Sequence, residues 1–324
     1  MTTSDFIVLD TAKTNMKYGL APDERSFEDL LHNGIVVIDK TRGPTSHEVV
    51  SWLKKILGLD KAGHSGTLDP RVTGLLPIAL DDGTKIVKNL LDTGKEYVCL
   101  MRLHADVDIE ALKKTILLFE GPILQRPPVK SAVKRQIRTR NVYSIEILDI
   151  EDRFVLMRVD CESGTYIRKL VYDIGMVLGC GANMAELRRT RVGSFYEENM
   201  TTLQELSDAL QLYRENNDET AFRKIVFPIE RAVEHLPRVV LRDSAIDAVC
   251  HGANVAIPGV IGIDRTVKRK RKVALFSQKG ELVAIGISMA NSNKFKNMKS
   301  GFVVNIQRVV MKEGTYPRYW KTSS

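Results

Sequence analysis

"GHSGTLDPRVTGLLPI", residues 63–78, sets one acid, Asp69, between Leu68 and Pro70 in a glycine-rich stretch. Gly, Asp and Pro are what a turn asks for, so local physics favours Asp69 as a turn former. His64 five residues before it and Arg71 two residues after it keep a second reading open. Glycine lets backbone approach a ligand closely, and loops held by rigid elements carry chemistry more often than their share of residues.

Working outward, "IVVIDK" (35–40) is a compact β-run that stops at Gly43-Pro44. "TSHE" (45–48) then reads as a capping box, with Thr45 as N-cap and Glu48 three residues on. Val49, Val50, Leu53, Ile56 and Leu57 follow at helical spacing, and Gly58 ends the helix. The loop of Asp69 therefore lies where a strand and a helix meet. Upstream, residues 1–33 are polar and irregular except for the short helical pattern of "FEDLLHNG". Downstream, "KEYVCLMRL" (95–103) predicts a strand, 108–120 a helix, and "VYSIEILDI" with "RFVLMRVDC" a hairpin about Glu151-Asp152. In 164–179, Ile167, Leu170, Val171, Ile174, Val177 and Leu178 form an amphipathic stripe. Beyond Leu236-Pro237 come a short helix (243–251) and small β-runs of the kind that close a barrel. The fold class expected is α+β. An N-terminal extension (1–33), packing on the C-terminal domain, precedes a mixed or antiparallel-sheet domain (34–236), a small β-barrel-like domain (237–312) and a tail (313–324).

At 324 residues the chain can bury a real core, and 44% hydrophobic with 27% charged residues is ordinary for a globular protein. No 18-residue apolar window exists, and Asp5 and Asp10 stand where a signal peptide would be basic. Cys99, Cys161, Cys180 and Cys250 lie too far apart for a zinc motif and suggest no disulfide framework. Net charge is +8, and three runs carry it: six basic residues in 126–140, six in "RTVKRKRK" (265–272) and three in "RRTR" (188–191). Such runs point to a polyanion partner without choosing among RNA, DNA and a lipid surface. "GCGAN" (179–183) follows a helix and lacks a third glycine, so it is no dinucleotide loop. No phosphate loop, H-E-x-x-H or G-x-S-x-G is present.

Single residues remain. Tyr97 in an apolar strand would ordinarily be core. Arg168 falls in the first turn of its helix, where a cation opposes the helix dipole, and it wants an anion; Asp69 is the candidate.

Residues 63–78, with "KEYVC" (95–99), "QRPPVKSAVKR" (125–135), "CESGTYIRKL" (161–170) and "GCGANMAELRRTRVGSF" (179–195), resemble the TruB family of pseudouridine synthases, motif by motif in order. "DTAKTNMKYG", "SAVKRQIRTR" and a C-terminal region similar to a PUA domain extend the likeness over nearly the whole chain, toward the archaeal members of the dyskerin-like branch that serves H/ACA ribonucleoproteins. That resemblance implies an isomerase that cleaves the C1′–N1 bond of a uridine in RNA, turns the base and rejoins it through C5, with no metal and no cofactor. It implies Asp69 as nucleophile, attacking C1′ or assisting a glycal, and Arg168 as its ion-pair partner. Tyr97 would stack on the flipped base and help move the C5 proton. Leu187 would line the base pocket, and His64 would fill the space the base vacates. Both also read as ordinary packing residues.

Bacterial relatives carry an extra segment after the tyrosine motif and usually a further tyrosine near the serine of "RPPVKSAVKR"; neither is found here. The resemblance therefore implies partners as well: an H/ACA guide RNA that pairs with the target RNA, small accessory proteins, and a kink-turn-binding protein attached through the guide. Ribosomal RNA is the implied substrate, with the transfer-RNA T-loop as a further one. "KRKRK" (268–272) in the PUA-like domain would anchor the guide. The sequence stops at "WKTSS" without the lysine-rich tail of eukaryotic relatives, which suggests an archaeal, cytoplasmic protein unless a longer chain has been trimmed. The alternatives are a stand-alone transfer-RNA T-loop synthase and a non-catalytic RNA-binding scaffold.

Overall fold

The computed structural model describes residues 6–127 and 136–318. Most of "QRPPVKSAVKR", the middle of the basic run 126–140 and the end of the expected tail lie outside the described residues. In chain order the first half runs β1 (Phe6–Val8), α1 (Phe27–Asn33), β2 (Gly34–Lys40), α2 (Ser46–Leu57), β3 (Ala62–His64), β4 (Thr73–Leu80), α3 (Val87–Leu91), β5 (Lys95–Leu103) and α4 (Ile109–Leu117). It continues with β6 (Gly121–Gln125), β7 (Arg138–Glu151), β8 (Phe154–Cys161), α5 (Ile167–Val177), β9 (Ala182–Val192), β10 (Phe195–Tyr196), α6 (Leu203–Asn216) and α7 (Thr220–Ile225). The remainder is β11 (Val226–Pro228), β12 (Arg238–Leu241), α8 (Asp243–Cys250), β13 (Val255–Ala256), β14 (Val260–Asp264), β15 (Lys272–Phe276), β16 (Leu282–Ser288), α9 (Ser292–Phe295) and β17 (Phe302–Val309). Helix and mixed sheet share the chain, an α+β fold.

Two compact units result, both discontinuous in sequence. One comprises the described residues of Val36–Ile78 and Val87–Ile225. Its sheet follows the order β2-β4-β9-β5-β8-β7-β6, parallel only between β4 and β9 along the central stretch from β4 to β6. One face of β5 and β8 (Cys99, Met101, Val155, Met157, Val159, Cys161) meets Leu112 and Ile116 of α4 and Ile167, Leu170, Val171 and Ile174 of α5. The α5 stripe is as expected except at its end, where Val177 is exposed. The α2 capping box forms: Thr45 Oγ1 accepts from the Glu48 N–H, and the Glu48 carboxylate accepts from the Thr45 N–H at 2.7 Å.

The other unit comprises the described residues of Met1–Ile35, Ala79–Ile86 and Val226–Ser324. Its sheet runs β1-β14-β12-β15-β16-β17-β13, with Val239, Ile246, Ile263, Leu275 and Val303 in its core. The N-terminal segment is sewn into it. β1 pairs antiparallel with β14, Phe6 opposite Asp264. Three buried carboxylates hold the residues after β1. Asp243 accepts from the Asn15 N–H at 2.8 Å, Glu281 from the Leu20 N–H at 2.9 Å, and Glu230 from both Arg25 Nη atoms at 2.6 and 2.8 Å. Tyr316, inside the stretch expected as a tail, is also buried and donates to Glu281; its ring fills this core, so the chain is still structural at that point.

Candidate active site

The loop carrying Asp69 is built from below. Lys40, at the end of β2, is wholly buried, and its Nζ donates to the carbonyls of Val72 (2.9 Å), Thr41 (3.0 Å), Asp69 and Pro70 (both 3.4 Å). Burial lowers its pKa, partly offset by the Asp69 charge. Ser46, in the first turn of α2, brackets Leu68: its Oγ accepts from the Leu68 N–H at 2.9 Å and lies 3.2 Å from the Leu68 carbonyl. The Gly43 N–H donates to Pro70 O at 2.8 Å. With its backbone tied at these points, the loop turns the Asp69 side chain outward, 53% exposed.

Arg168 lies in the first turn of α5, which has no side-chain cap of its own. Gln125, 2% exposed, holds the start of the helix instead. Its Oε1 accepts from the Tyr166 N–H at 2.9 Å, and its Nε2 donates to Tyr166 O at 3.1 Å. From this fixed turn the Arg168 guanidinium reaches across 99 residues of sequence and donates to Asp69 Oδ2. Its own side chain is 58% exposed. A carboxylate and a guanidinium thus stand paired, in water and open to a ligand.

Tyr97 on β5 is 8% exposed, and burial pushes its phenol above the ordinary value, against the pull of the neighbouring Arg189. So little of the ring reaches the surface that a base can stack on it only if neighbours yield. Leu187 on β9 pairs with Cys99 of β5 and packs against the cluster that includes Tyr97 and Leu68. His64 turns inward: its Nδ1 accepts from the Gly66 N–H at 3.3 Å, and its ring meets His47 edge to face at 5.0 Å. Burial lowers its pKa, His47 and Arg189 adding to the effect, so it is neutral at pH 7. The structure therefore joins Asp69 to Arg168 directly. Tyr97 reaches their loop through Arg189, whose guanidinium binds the phenol and donates to Gly66 O at 3.2 Å. His64 stands at the loop's first turn, beside His47.

Four residues at this site carried no signal in the sequence: Lys40, Ser46, Gln125 and Arg189. Each acts on backbone far away in the chain, which no local pattern encodes. "RRTR", expected to face a polyanion, does not. Arg188 pairs with Asp39 and Glu197, Arg189 is 1% exposed, and Arg191 pairs with Asp160. This run is internal wiring of the sheet, because β9 is a central strand. The run 265–272 does lie on the surface, with Lys268, Arg269, Lys270 and Arg271 exposed. Among the described residues no group of three or more His, Cys, Asp and Glu could hold a metal ion, and no helix is long and apolar enough to cross a membrane.

Comparison with known proteins adds to this geometry. Residues 54–167 match the N-terminal domain of TruB family pseudouridylate synthases, 168–234 the C-terminal domain of tRNA pseudouridylate synthase B, 237–310 the PUA domain and 2–50 the DKCLD domain. A "probable tRNA pseudouridine synthase B" of Archaeoglobus fulgidus is 51% identical over 324 residues, covering 100% of both chains. A protein of the same description from Methanopyrus kandleri is 51% identical, over 98% of this chain and 94% of its own. Among solved structures, a Cbf5-Nop10-Gar1 complex contains a chain that matches at a TM-score of 0.92 and 49% identity, covering 97% of this chain and 96% of that one. A chain of an H/ACA ribonucleoprotein bound to a substrate RNA containing 2′-deoxyuridine matches at 0.91 and 46%, over 98% and 97%. An exposed, ion-paired aspartate on a pinned loop, set in a chain alike to these from end to end, makes this protein a member of the TruB family of pseudouridine synthases, of the Cbf5 type.

Proposed function

We propose that the chain converts uridine to pseudouridine in ribosomal RNA as the catalytic subunit of a guide-RNA-dependent H/ACA particle in an archaeal cytoplasm. The observation that carries the chemistry is the Asp69–Arg168 pair, two half-exposed charges on a loop and a helix start that are both held from beneath. Asp69 is the nucleophile. Arg168 keeps it charged and aimed, since a cation in contact favours the carboxylate over the acid. The C1′–N1 bond breaks, the freed uracil turns, C5 bonds to C1′, and the C5 proton leaves; no atom is gained or lost. Tyr97 supports the base once its cover opens, and Leu187 lines the apolar side. His64 is neutral and fits a role of filling space better than one of binding phosphate. A flipped base must be drawn from its stack at a cost of a few kcal/mol, which the guide–target duplex geometry lowers by presenting the uridine already unpaired.

In this reading residues 34–236 do the chemistry, and 237–312, with the exposed run at 268–271, hold the guide backbone. Dependence on guide RNA, on small accessory proteins and on a kink-turn-binding protein attached to the guide is supported by the near full-length likeness to chains solved in H/ACA complexes. A second reading, action on transfer RNA without a guide, is favoured by the description of the curated relatives as tRNA pseudouridine synthases. One experiment tests both. Pseudouridine is mapped in a guide-matched target and in a transfer-RNA transcript, with and without guide and accessory proteins, for wild type and Asp69→Ala. The first reading expects product in the matched target only with guide, and none with Asp69→Ala. Equal transfer-RNA conversion without guide transfers the assignment to the second reading. Turnover by Asp69→Ala refutes the role given to Asp69.

A further inference from the structure

Arg189 has no part in the chemistry just described, yet the site is arranged around it. It sits on β9 with 1% of its surface exposed. Its Nε donates to Leu75 O at 2.7 Å, its Nη2 to Gly66 O at 3.2 Å, and its guanidinium also meets the Tyr97 phenol. Among the described residues it has no carboxylate in ion-pair contact. A buried cation without a counter-charge costs several kcal/mol, and here neutral oxygens alone compensate it. Guanidinium suits such a place, because its donors point in fixed directions within one plane and can join several acceptors at once.

The backbone has been fitted to this side chain. In the pairing of β5 with β9, Tyr97 faces Arg189 while Glu96 faces Arg191, so Thr190 is the extra residue of a β-bulge, and Arg189 and Thr190 are both buried. Gly74 lies opposite Arg189 on β4, and a Cβ there would come within 2.3 Å of the Arg189 carbonyl oxygen and 2.8 Å of its nitrogen. Gly66 has φ +123°, and its missing Cβ would lie 3.5 Å from Arg189 Nη1. Two glycines of the stretch 63–78 thus make room for one arginine.

We infer that Arg189 is a positioning residue for uridine isomerisation: it locks the hydroxyl of Tyr97 to the loop that carries Asp69, so that both groups address one base in a fixed geometry. This rests on the roles proposed above for Asp69 and Tyr97. The bond to the phenol oxygen sets the tilt of the Tyr97 ring, and the bond to Gly66 O sets the height of the loop; one planar group fixes both.

The test is a double-mutant cycle read by single-turnover pseudouridine formation and, separately, by RNA affinity. Arg189→Lys keeps the charge and loses the fork. It should slow the chemical step about tenfold or more while RNA affinity changes less than about twofold. Tyr97→Phe should cost about as much alone, and add less than about twofold on top of Arg189→Lys, because the two changes break one connection. Additive losses, a loss confined to RNA binding, or wild-type turnover by Arg189→Lys overturn the inference. Should Arg189→Lys fail to fold, Tyr97→Phe decides by itself: a lost acceptor for a buried cation lowers the melting temperature by several degrees, and an unchanged one refutes the link. Absence of product from the wild type would instead defeat the function proposed for the site, so the two failures are distinct.

Discussion

Two arginine–carboxylate pairs in this molecule join residues far apart in sequence, and they are opposites. In the unit formed by the chain's two ends, Arg25 and Glu230 make a bidentate pair with side chains 12% and 11% exposed, and the Leu282 N–H adds a further bond at 2.9 Å. In the other unit, Arg168 and Asp69 meet through one oxygen at 58% and 53% exposure, and among the described residues no hydrogen bond reaches Asp69 Oδ1. A saturated, buried pair is a clamp: removing either partner strands a charge. An unsaturated, exposed pair contributes little to stability and leaves lone pairs free to react. The same two chemical groups serve structure in one place and reaction in the other, and the difference lies in what else touches the carboxylate.

The largest test of that contrast is Asp69→Asn. Single-turnover pseudouridine formation should fall by at least about a thousandfold, whereas thermal melting and RNA binding stay unchanged. A melting temperature that falls with activity would make Asp69 a structural clamp after all. Glu230→Ala should do the reverse, lowering unfolding free energy in denaturant titrations by about 3–5 kcal/mol through the stranded Arg25. A loss under about 1 kcal/mol would show that water rescues the pair. Next in size is Arg168→Gln, which should cost about a hundredfold in rate and less than about 1 kcal/mol in stability.

The smallest expected effect concerns pH. Lys95, beside Gly66 and Arg189, donates to Thr93 O at 2.9 Å and Leu91 O at 3.0 Å, and burial brings its pKa down to about 8 from 10.5. Between those values the unfolded chain binds the proton and the folded chain does not, so folding is favoured as pH rises through that window. Wild type should gain up to about 3 kcal/mol relative to Lys95→Met between pH 8 and 10.5, read as the difference of two denaturant series. A parallel pair of series would mean that Lys95 stays charged throughout.

What the sequence made legible was local. The capping box of α2, the hairpin of β7 and β8 and the apolar stripe of α5 follow from spacing. Arg168 was conspicuous because it opposes its helix dipole, and the ion pair with Asp69 answers that. What stayed hidden was long-range. Arg189 read as one more cation in a basic run, because nothing local tells a solvated arginine from one sunk in a central strand. Glu230, Asp243 and Glu281 looked like surface acids, yet their partners lie more than 200 residues away at Arg25, Thr14, Asn15 and Leu20. Tyr316 looked like tail for the same reason.

The sewing of the N-terminal segment into the far end of the chain also sets a timetable. Phe6, Ile7 and Val8 pair with residues 262–264, and Leu20 with Glu281, so this segment leaves the ribosome long before its partners exist. At typical synthesis rates of ~5–20 residues per second, roughly 250 residues of delay is a wait of roughly 10–50 s. The unit that carries Asp69 and Arg168 ends at residue 225 and can close first. During that interval the first strand has an unpaired edge. A nascent chain halted before residue 260 would own a finished reaction centre while its N-terminal strand still lacked a partner.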